Sequence, residues 1–126
     1  MKNNYGIVAL IFIIMIFIAG CASNQKASVD CGTDTACFSN NFKTCTPSKF
    51  MGGLTEIKGG TPASCQVFMQ SQDNPSLTGG ERLTMLCDVK NTDAFKESEM
   101  NGYGIYQKGA SCTGKLYDFY KNLVKP

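Results

Sequence analysis

Residues 81–90 read ERLTMLCDVK, and their side chains alternate in character. Every second position is apolar: Leu83, Met85, Cys87 and Val89. Successive side chains of a β-strand point to opposite faces, so the stretch predicts a strand with one face turned to a core. Residues 52–70 hold two more strand-like runs, separated by KGGTP, whose glycines and proline indicate a turn. We therefore expect an antiparallel meander of three strands.

Helical patterns flank the meander. Phe38, Phe42 and Cys45 recur on one face and predict a helix over about 34–45, which Pro47 would stop. Near the C-terminus an amphipathic helix is predicted from side chains at i, i+3, i+4 and i+7, with a cysteine on the same stripe: Leu116, Phe119, Tyr120, Leu123 and Cys112.

The segment between the meander and the last helix is less regular. Residues 91–102 predict one short helical turn, and residues 103–111, YGIYQKGAS, are a candidate fourth strand. The expected fold class is therefore α+β. We expect a small disulfide-stapled domain with an N-terminal helix, a meander of three to four strands and a C-terminal amphipathic helix.

The composition fits one domain and excludes several classes of function. The chain has 126 residues, with 12 Lys and Arg against 10 Asp and Glu, and no run of like charge that would suit nucleic acid. Histidine is absent, which removes the commonest general base and metal ligand. We expect no cofactor, no metal site and no nucleic-acid partner.

The N-terminus has the three parts of a secretory signal sequence. Lys2 supplies positive charge, Ile7 to Ala19 is apolar without interruption, and small residues follow. The apolar stretch is shorter than the roughly 20 residues that a transmembrane helix needs. Residues 1–20 are therefore predicted to be a signal peptide.

Ile18, Ala19, Gly20 and Cys21 resemble the lipobox of prokaryotic lipoproteins, an aliphatic residue and two small ones before a cysteine. The resemblance implies that the Cys21 thiol receives a diacylglyceryl group and that the signal is cleaved between Gly20 and Cys21. Two acyl chains suffice for stable anchoring. Residues 21–28 would then form the lipidated cysteine and a flexible tether, and residues 29–126 a single domain on the extracytoplasmic side of a cell membrane.

Three other interpretations of the N-terminus remain open. An ordinary signal peptide could be cut after Ala22, or the apolar stretch could be an uncleaved short anchor. A pilin-type leader could be cut after Gly6, although Ile11 stands where such leaders usually have glutamate.

Six cysteines remain once Cys21 is assigned to lipid: Cys31, Cys37, Cys45, Cys65, Cys87 and Cys112. An even number in an exported chain, without the close pairs typical of zinc sites, predicts three disulfides. The sequence does not choose among the 15 pairings that six cysteines allow. Five of the six fall on faces predicted to point inward, so the bridges are expected to tie both helices to the sheet.

No catalytic signature occurs. There is no G-x-S-x-G motif and no histidine to activate a nucleophile, and Glu97 and Glu99 lie in a polar segment. Tyr103, Tyr106 and Tyr117 are the best candidates for a binding patch for peptide or glycan. The alternative is that these rings are partly buried, with their hydroxyls at the rim.

The motifs C-x5-CF and C-x-P-S-K, early in the domain, and C-x-G-x-L, late in it, resemble uncharacterised small cysteine-rich exported domains of archaea and uncultured prokaryotes. That resemblance implies no activity. The expected function is a non-catalytic, lipid-anchored protein of the cell envelope that binds a ligand or has a structural role. A small histidine-independent hydrolase or protein inhibitor, and a pilin-like assembly subunit, are the alternatives.

Overall fold

The central meander is present in the structure, a computed structural model that describes residues 27–72 and 79–124. The predicted signal peptide, Cys21 and residues 22–26 of the tether lie outside this part of the chain. The fold class is α+β, and the described residues form one mixed sheet of six strands and three α-helices. The strands are β1 (Val29–Asp30), β2 (Ser48–Phe50), β3 (Thr55–Thr61), β4 (Ser64–Gln70), β5 (Thr84–Val89) and β6 (Ser111–Thr113).

The helices are α1 (Thr35–Thr44), α2 (Gly102–Gln107) and α3 (Lys115–Leu123). Short 3-10 turns occur at Met51–Gly53, Thr92–Ala94 and Glu97–Glu99. The strands follow one another in chain order across the sheet, from β1 at one edge to β6 at the other. β1 runs parallel to β2, and every other neighbouring pair is antiparallel.

The alternation that predicted β4 and β5 is confirmed by burial. On β5, Met85, Cys87 and Val89 are buried, and they pair in register with the buried side chains of β4. The opposite face of these strands is open, and Leu86 on it is 43% exposed. Helices α1 and α3 cover the buried face, where the side chains form a single core.

Helix α1 confirms the predicted N-terminal helix, although it is one residue shorter at each end. Asp34 caps it, because its carboxylate accepts a hydrogen bond from the Cys37 N–H at 3.0 Å. Cys45 ends the helix in the left-handed conformation, with φ of 52°. The stripe predicted to point inward does so, since Phe38 and Phe42 are both buried.

Three details of the predicted fold are wrong. The sheet has six strands, because very short edge strands, β1, β2 and β6, flank the meander. The turn between β3 and β4 lies at residues 62–63, because the two glycines of KGGTP continue β3 beyond a bulge. The predicted fourth strand is α2, and only Ser111 at its end joins a strand.

The six cysteines form three disulfides: Cys31–Cys37, Cys45–Cys65 and Cys87–Cys112. The first two hold both ends of α1, to the segment after β1 and to β4 respectively. The third joins β5 to β6. Helix α1 is thus tied to the sheet as expected, but α3 is connected only through β6, which precedes it in the chain.

Candidate binding surface

Helix α2 begins where two local interactions favour a helix over a strand. The Asn101 side chain accepts a hydrogen bond from the Gly104 N–H at 2.9 Å, which caps the helix. A Cβ on Gly104 would lie 2.4 Å from the carbonyl oxygen of Glu99, so only glycine allows this close approach. With Ile105 fully buried, Tyr103 and Tyr106 lie on the outer side of the helix.

Helix α3 is positioned by the glycine before it. Gly114 has φ of 118°, and a Cβ there would lie 2.4 Å from the carbonyl oxygen of Thr84 on β5. The chain therefore passes against the sheet before it turns into the helix. Leu116 then packs into the core, and Tyr117 and Tyr120 contact the tyrosines of α2.

The two helices bring four tyrosines together: Tyr103, Tyr106, Tyr117 and Tyr120. We call this set the tyrosine cluster. Tyr103 and Tyr106 have ring centroids 6.3 Å apart, and the Tyr106 ring lies 5.8 Å from that of Tyr117. Tyr120 lies between the helices, 5.8 Å from Tyr103 and 5.9 Å from Tyr106. All three tyrosines predicted to form a patch are therefore in one cluster.

Tyr120 was not predicted to belong to the patch, because its spacing from Leu116 placed it on the inward stripe of the C-terminal helix. It is half-buried, and a Cβ on Gly102 would lie 3.0 Å from its hydroxyl, so the start of α2 rests on this ring. Burial raises the pKa of the Tyr120 phenol above its ordinary value. Its position three residues after Tyr117, one helical turn away, was the signal that could have identified it.

Exposure differs within the cluster. Tyr103 is 42% exposed, whereas Tyr106 and Tyr117 are of intermediate burial. The surface thus combines a partly buried base with exposed aromatic area, the combination typical of protein contact sites. The predicted patch and the alternative of partial burial therefore both describe part of the arrangement.

One lysine contacts the cluster, and another lies at the end of α2. The Lys121 ammonium is 5.6 Å from the centre of the Tyr117 ring, a cation–π distance. Lys108 forms an ion pair with Glu99 at 3.1 Å. The pKa of the Glu99 carboxyl lies below its ordinary value, first because it accepts the Lys96 backbone N–H and then because of Lys108.

Of the two carboxylates Glu97 and Glu99, Glu99 is held by Lys96 and Lys108, whereas Glu97 on the same 3-10 turn is exposed. Within residues 27–72 and 79–124, no group of three or more histidine, cysteine, aspartate or glutamate side chains is placed to hold a metal ion.

A broad depression of about 1250 Å³ lies near the start of the described chain, lined in part by Ala27 and Ser28. Its two charged side chains, Glu56 and Lys58, form an ion pair with each other at 2.7 Å. The remaining lining consists of hydroxyl, amide, glycine and apolar residues, among them Ser64, Gln66 and Ile57.

None of the helices among the described residues has the length and apolar character that crossing a membrane requires.

Comparison with known proteins gave no relative: no family model, no curated protein and no solved structure matches the chain.

Proposed function

We propose that this protein is a lipid-anchored, non-catalytic binding protein of the cell envelope. The anchor is the diacylglyceryl group expected on Cys21, and the binding surface is the tyrosine cluster. The signal sequence and the lipobox-like residues Ile18 to Cys21 support the anchor. Three disulfides support an oxidising, extracytoplasmic location for the domain.

The observation that carries the binding role is the convergence of four tyrosines from two helices on one surface. Tyrosine brings a large rigid ring and a polar hydroxyl, and it is enriched among the residues that contribute most to protein interfaces. Ile105 and Leu116 fill the inward positions of α2 and α3, and Tyr117 and Tyr120 pack against the edge of the core, which leaves Tyr103 as the exposed ring of the cluster.

The angles between the rings favour a protein partner over a glycan. A sugar chain stacks best on aromatic faces that lie in one plane. The Tyr103 and Tyr106 rings are inclined at only 27°, but the Tyr103 and Tyr120 rings are inclined at 61° and the Tyr106 and Tyr117 rings at 63°, so the four rings do not lie in one plane. Such edge-to-face pairs present edges, faces and hydroxyls together, which suits the uneven surface of a protein.

The test is recovery of a cross-linked partner from cell envelopes. Cells expressing the full chain with Tyr103→Ser or Tyr106→Ser are cross-linked, and complexes are purified through the chain. Each substitution is expected to reduce recovery of the partner at least about tenfold, as hot-spot tyrosines do. Leu86→Ser is the matched control, because Leu86 is 43% exposed against 42% for Tyr103 but lies on the open face of the sheet.

Unchanged recovery with both tyrosine variants would contradict the proposal. Loss of retention on envelope polysaccharide, with no change in protein recovery, would show that the surface binds a glycan instead.

A further inference from the structure

We propose that the protein partner of the tyrosine cluster is a second copy of this chain, paired through antiparallel α3 helices. The inference rests on the proposed function, because it names the partner of the same surface. It depends on where exposed apolar side chains are concentrated and on the order of charges along α3.

Exposed apolar area is concentrated on α2 and α3. Half of the large hydrophobic side chains that are exposed in the described chain belong to these helices or to the residue that ends α3. These three are Tyr103 at 42%, Leu123 at 61% and Val124 at 52% exposed. The other three, Val29, Met51 and Leu86, are scattered over the rest of the domain. Concentration of apolar area in one region is typical of an interaction surface.

The charges on α3 are self-complementary. Asp118 and Lys121 are exposed, and neither forms an ion pair with a described residue, whereas Lys115 pairs with Glu81. A twofold axis between Phe119 and Tyr120 would place Asp118 of each copy opposite Lys121 of the other. Isologous contacts are always made twice, so one carboxylate and one ammonium supply two complementary charge pairs.

The same face of the helix carries aromatic area for the contact. Tyr117, Lys121 and Val124 follow one another at i, i+4 and i+7, so they lie along one side of α3. Tyr117 belongs to the tyrosine cluster and joins this side to Tyr106 of α2. A second α3 lying along this side would therefore contact the cluster at Tyr117, next to Tyr106.

Anchoring to a membrane favours formation of the dimer, although the paired α3 helices are short. Two chains held on one membrane meet at an effective concentration far above their average concentration, which favours modest contacts. The tether enters at β1, and α3 packs on β5 and β6 across the sheet. Five strand spacings, about 24 Å, separate these edges, so the anchor leaves the pairing surface clear.

The experiment is sedimentation equilibrium of the full chain, extracted from membranes into a density-matched detergent. Asp118→Lys and Lys121→Asp each create two like-charge contacts, and each is expected to weaken dimer formation at least about tenfold. An equimolar mixture of the two variants is expected to restore association to within about threefold of the unsubstituted chain. In the mixed pair the two introduced charges are opposite in sign and face each other, while the unsubstituted Lys121 of one chain faces the unsubstituted Asp118 of the other.

Matched controls are Lys43→Asp, which like Lys121 lies in the last turn of a helix, and Asp93→Lys, which is exposed on a 3-10 turn. Both are expected to dimerise as the unsubstituted chain does. All variants have the same N-terminal residues, so the probability that two chains occupy one micelle by chance is the same for every variant. The thermal unfolding of each variant is measured in parallel with its sedimentation. Restored association in the mixture cannot arise from a change in the stability of either variant, because both variants are the same in the mixture as alone.

A chain that stays monomeric, or variants that associate as strongly as the unsubstituted chain, would overturn the inference. Failure of the mixture to restore association would also overturn it. If the chain is monomeric but Tyr103→Ser still loses a cross-linked envelope protein, the pairing fails while the proposed function stands.

Discussion

At the scale of single residues, Glu99 connects the 3-10 turn at Glu97–Glu99 to helix α2, which carries two members of the tyrosine cluster. Its carboxylate accepts the Lys96 N–H at 2.9 Å and pairs with Lys108 at 3.1 Å. Its backbone carbonyl lies directly against Gly104, where α2 begins. One residue thus fixes both the 3-10 turn and the start of the helix that carries Tyr103 and Tyr106.

This role of Glu99 predicts that the free energy of unfolding depends on pH. The pKa of Glu99 is lower in the folded chain than its ordinary value of 4.5, because the Lys96 N–H and Lys108 favour the ionised form. Its contribution to the free energy of unfolding is therefore complete above about pH 4.5 and is lost as the pH falls through the lowered pKa. Glu99→Gln is expected to lower the free energy of unfolding at neutral pH and to reduce its decline in acid.

The measurement is urea unfolding between pH 7 and pH 3, with Glu97→Gln as the matched control on the same turn. We expect the control to retain the pH dependence of the unsubstituted chain. A Glu99→Gln variant that declines in acid as steeply as the unsubstituted chain would contradict this role.

At the scale of elements, the three disulfides differ in accessibility. Cys37 is partly exposed, whereas the other five half-cystines are each no more than 7% exposed. Cys37 also lies in the first turn of α1, where the partial positive charge of the helix terminus stabilises a thiolate. Thiol–disulfide exchange requires both access to a sulfur atom and a stable leaving thiolate.

We expect, therefore, that Cys31–Cys37 is reduced first. Alkylation without reductant should label none of the six cysteines, and graded dithiothreitol should make Cys31 and Cys37 the first to be labelled, as peptide mass mapping reports. Two or more free thiols before reduction would contradict the three bridges. Earlier labelling of Cys87 and Cys112 would contradict the predicted order.

The elements also show which features the sequence could reveal. Strands β4 and β5 were predictable because each pairs one buried face with one open face, which leaves a period of two in the sequence. Helix α1 was predictable from its phenylalanine stripe and its cap. Edge strands of two or three residues are too short to carry a periodicity, and their pairing depends on the neighbouring strand.

Helix α2 was missed because YGIYQKGAS has two glycines and β-favouring aromatics, which intrinsic propensity assigns to a strand or loop. The Asn101 cap and the contact of Gly104 with Glu99 outweigh that preference. The error affected the site, because Tyr103 and Tyr106 would lie on opposite faces of a strand but are neighbours on a helix. The sequence therefore indicated the tyrosines, but not the helix that brings Tyr103 and Tyr106 onto one surface.

At the scale of the whole molecule, the two ends of the sheet serve different parts of the proposed function. The chain enters at β1, and the tyrosine cluster lies on helices at the β5–β6 end. A tether of seven residues spans at most about 25 Å, so a domain anchored through Cys21 stays close to the membrane. The β5–β6 end of the sheet, which carries the tyrosine cluster, is then accessible to another protein on the same membrane.

Attachment through Cys21 is the part of the proposed function that the intact mass of the protein extracted from membranes tests most directly. We predict a chain that starts at Cys21 and carries the added mass of a diacylglyceryl group, with or without an acyl group on the amine. Cys21→Ser should abolish this species. A chain with an unmodified Cys21, or one that still contains Ile7–Ala19, would contradict attachment through a lipid on Cys21.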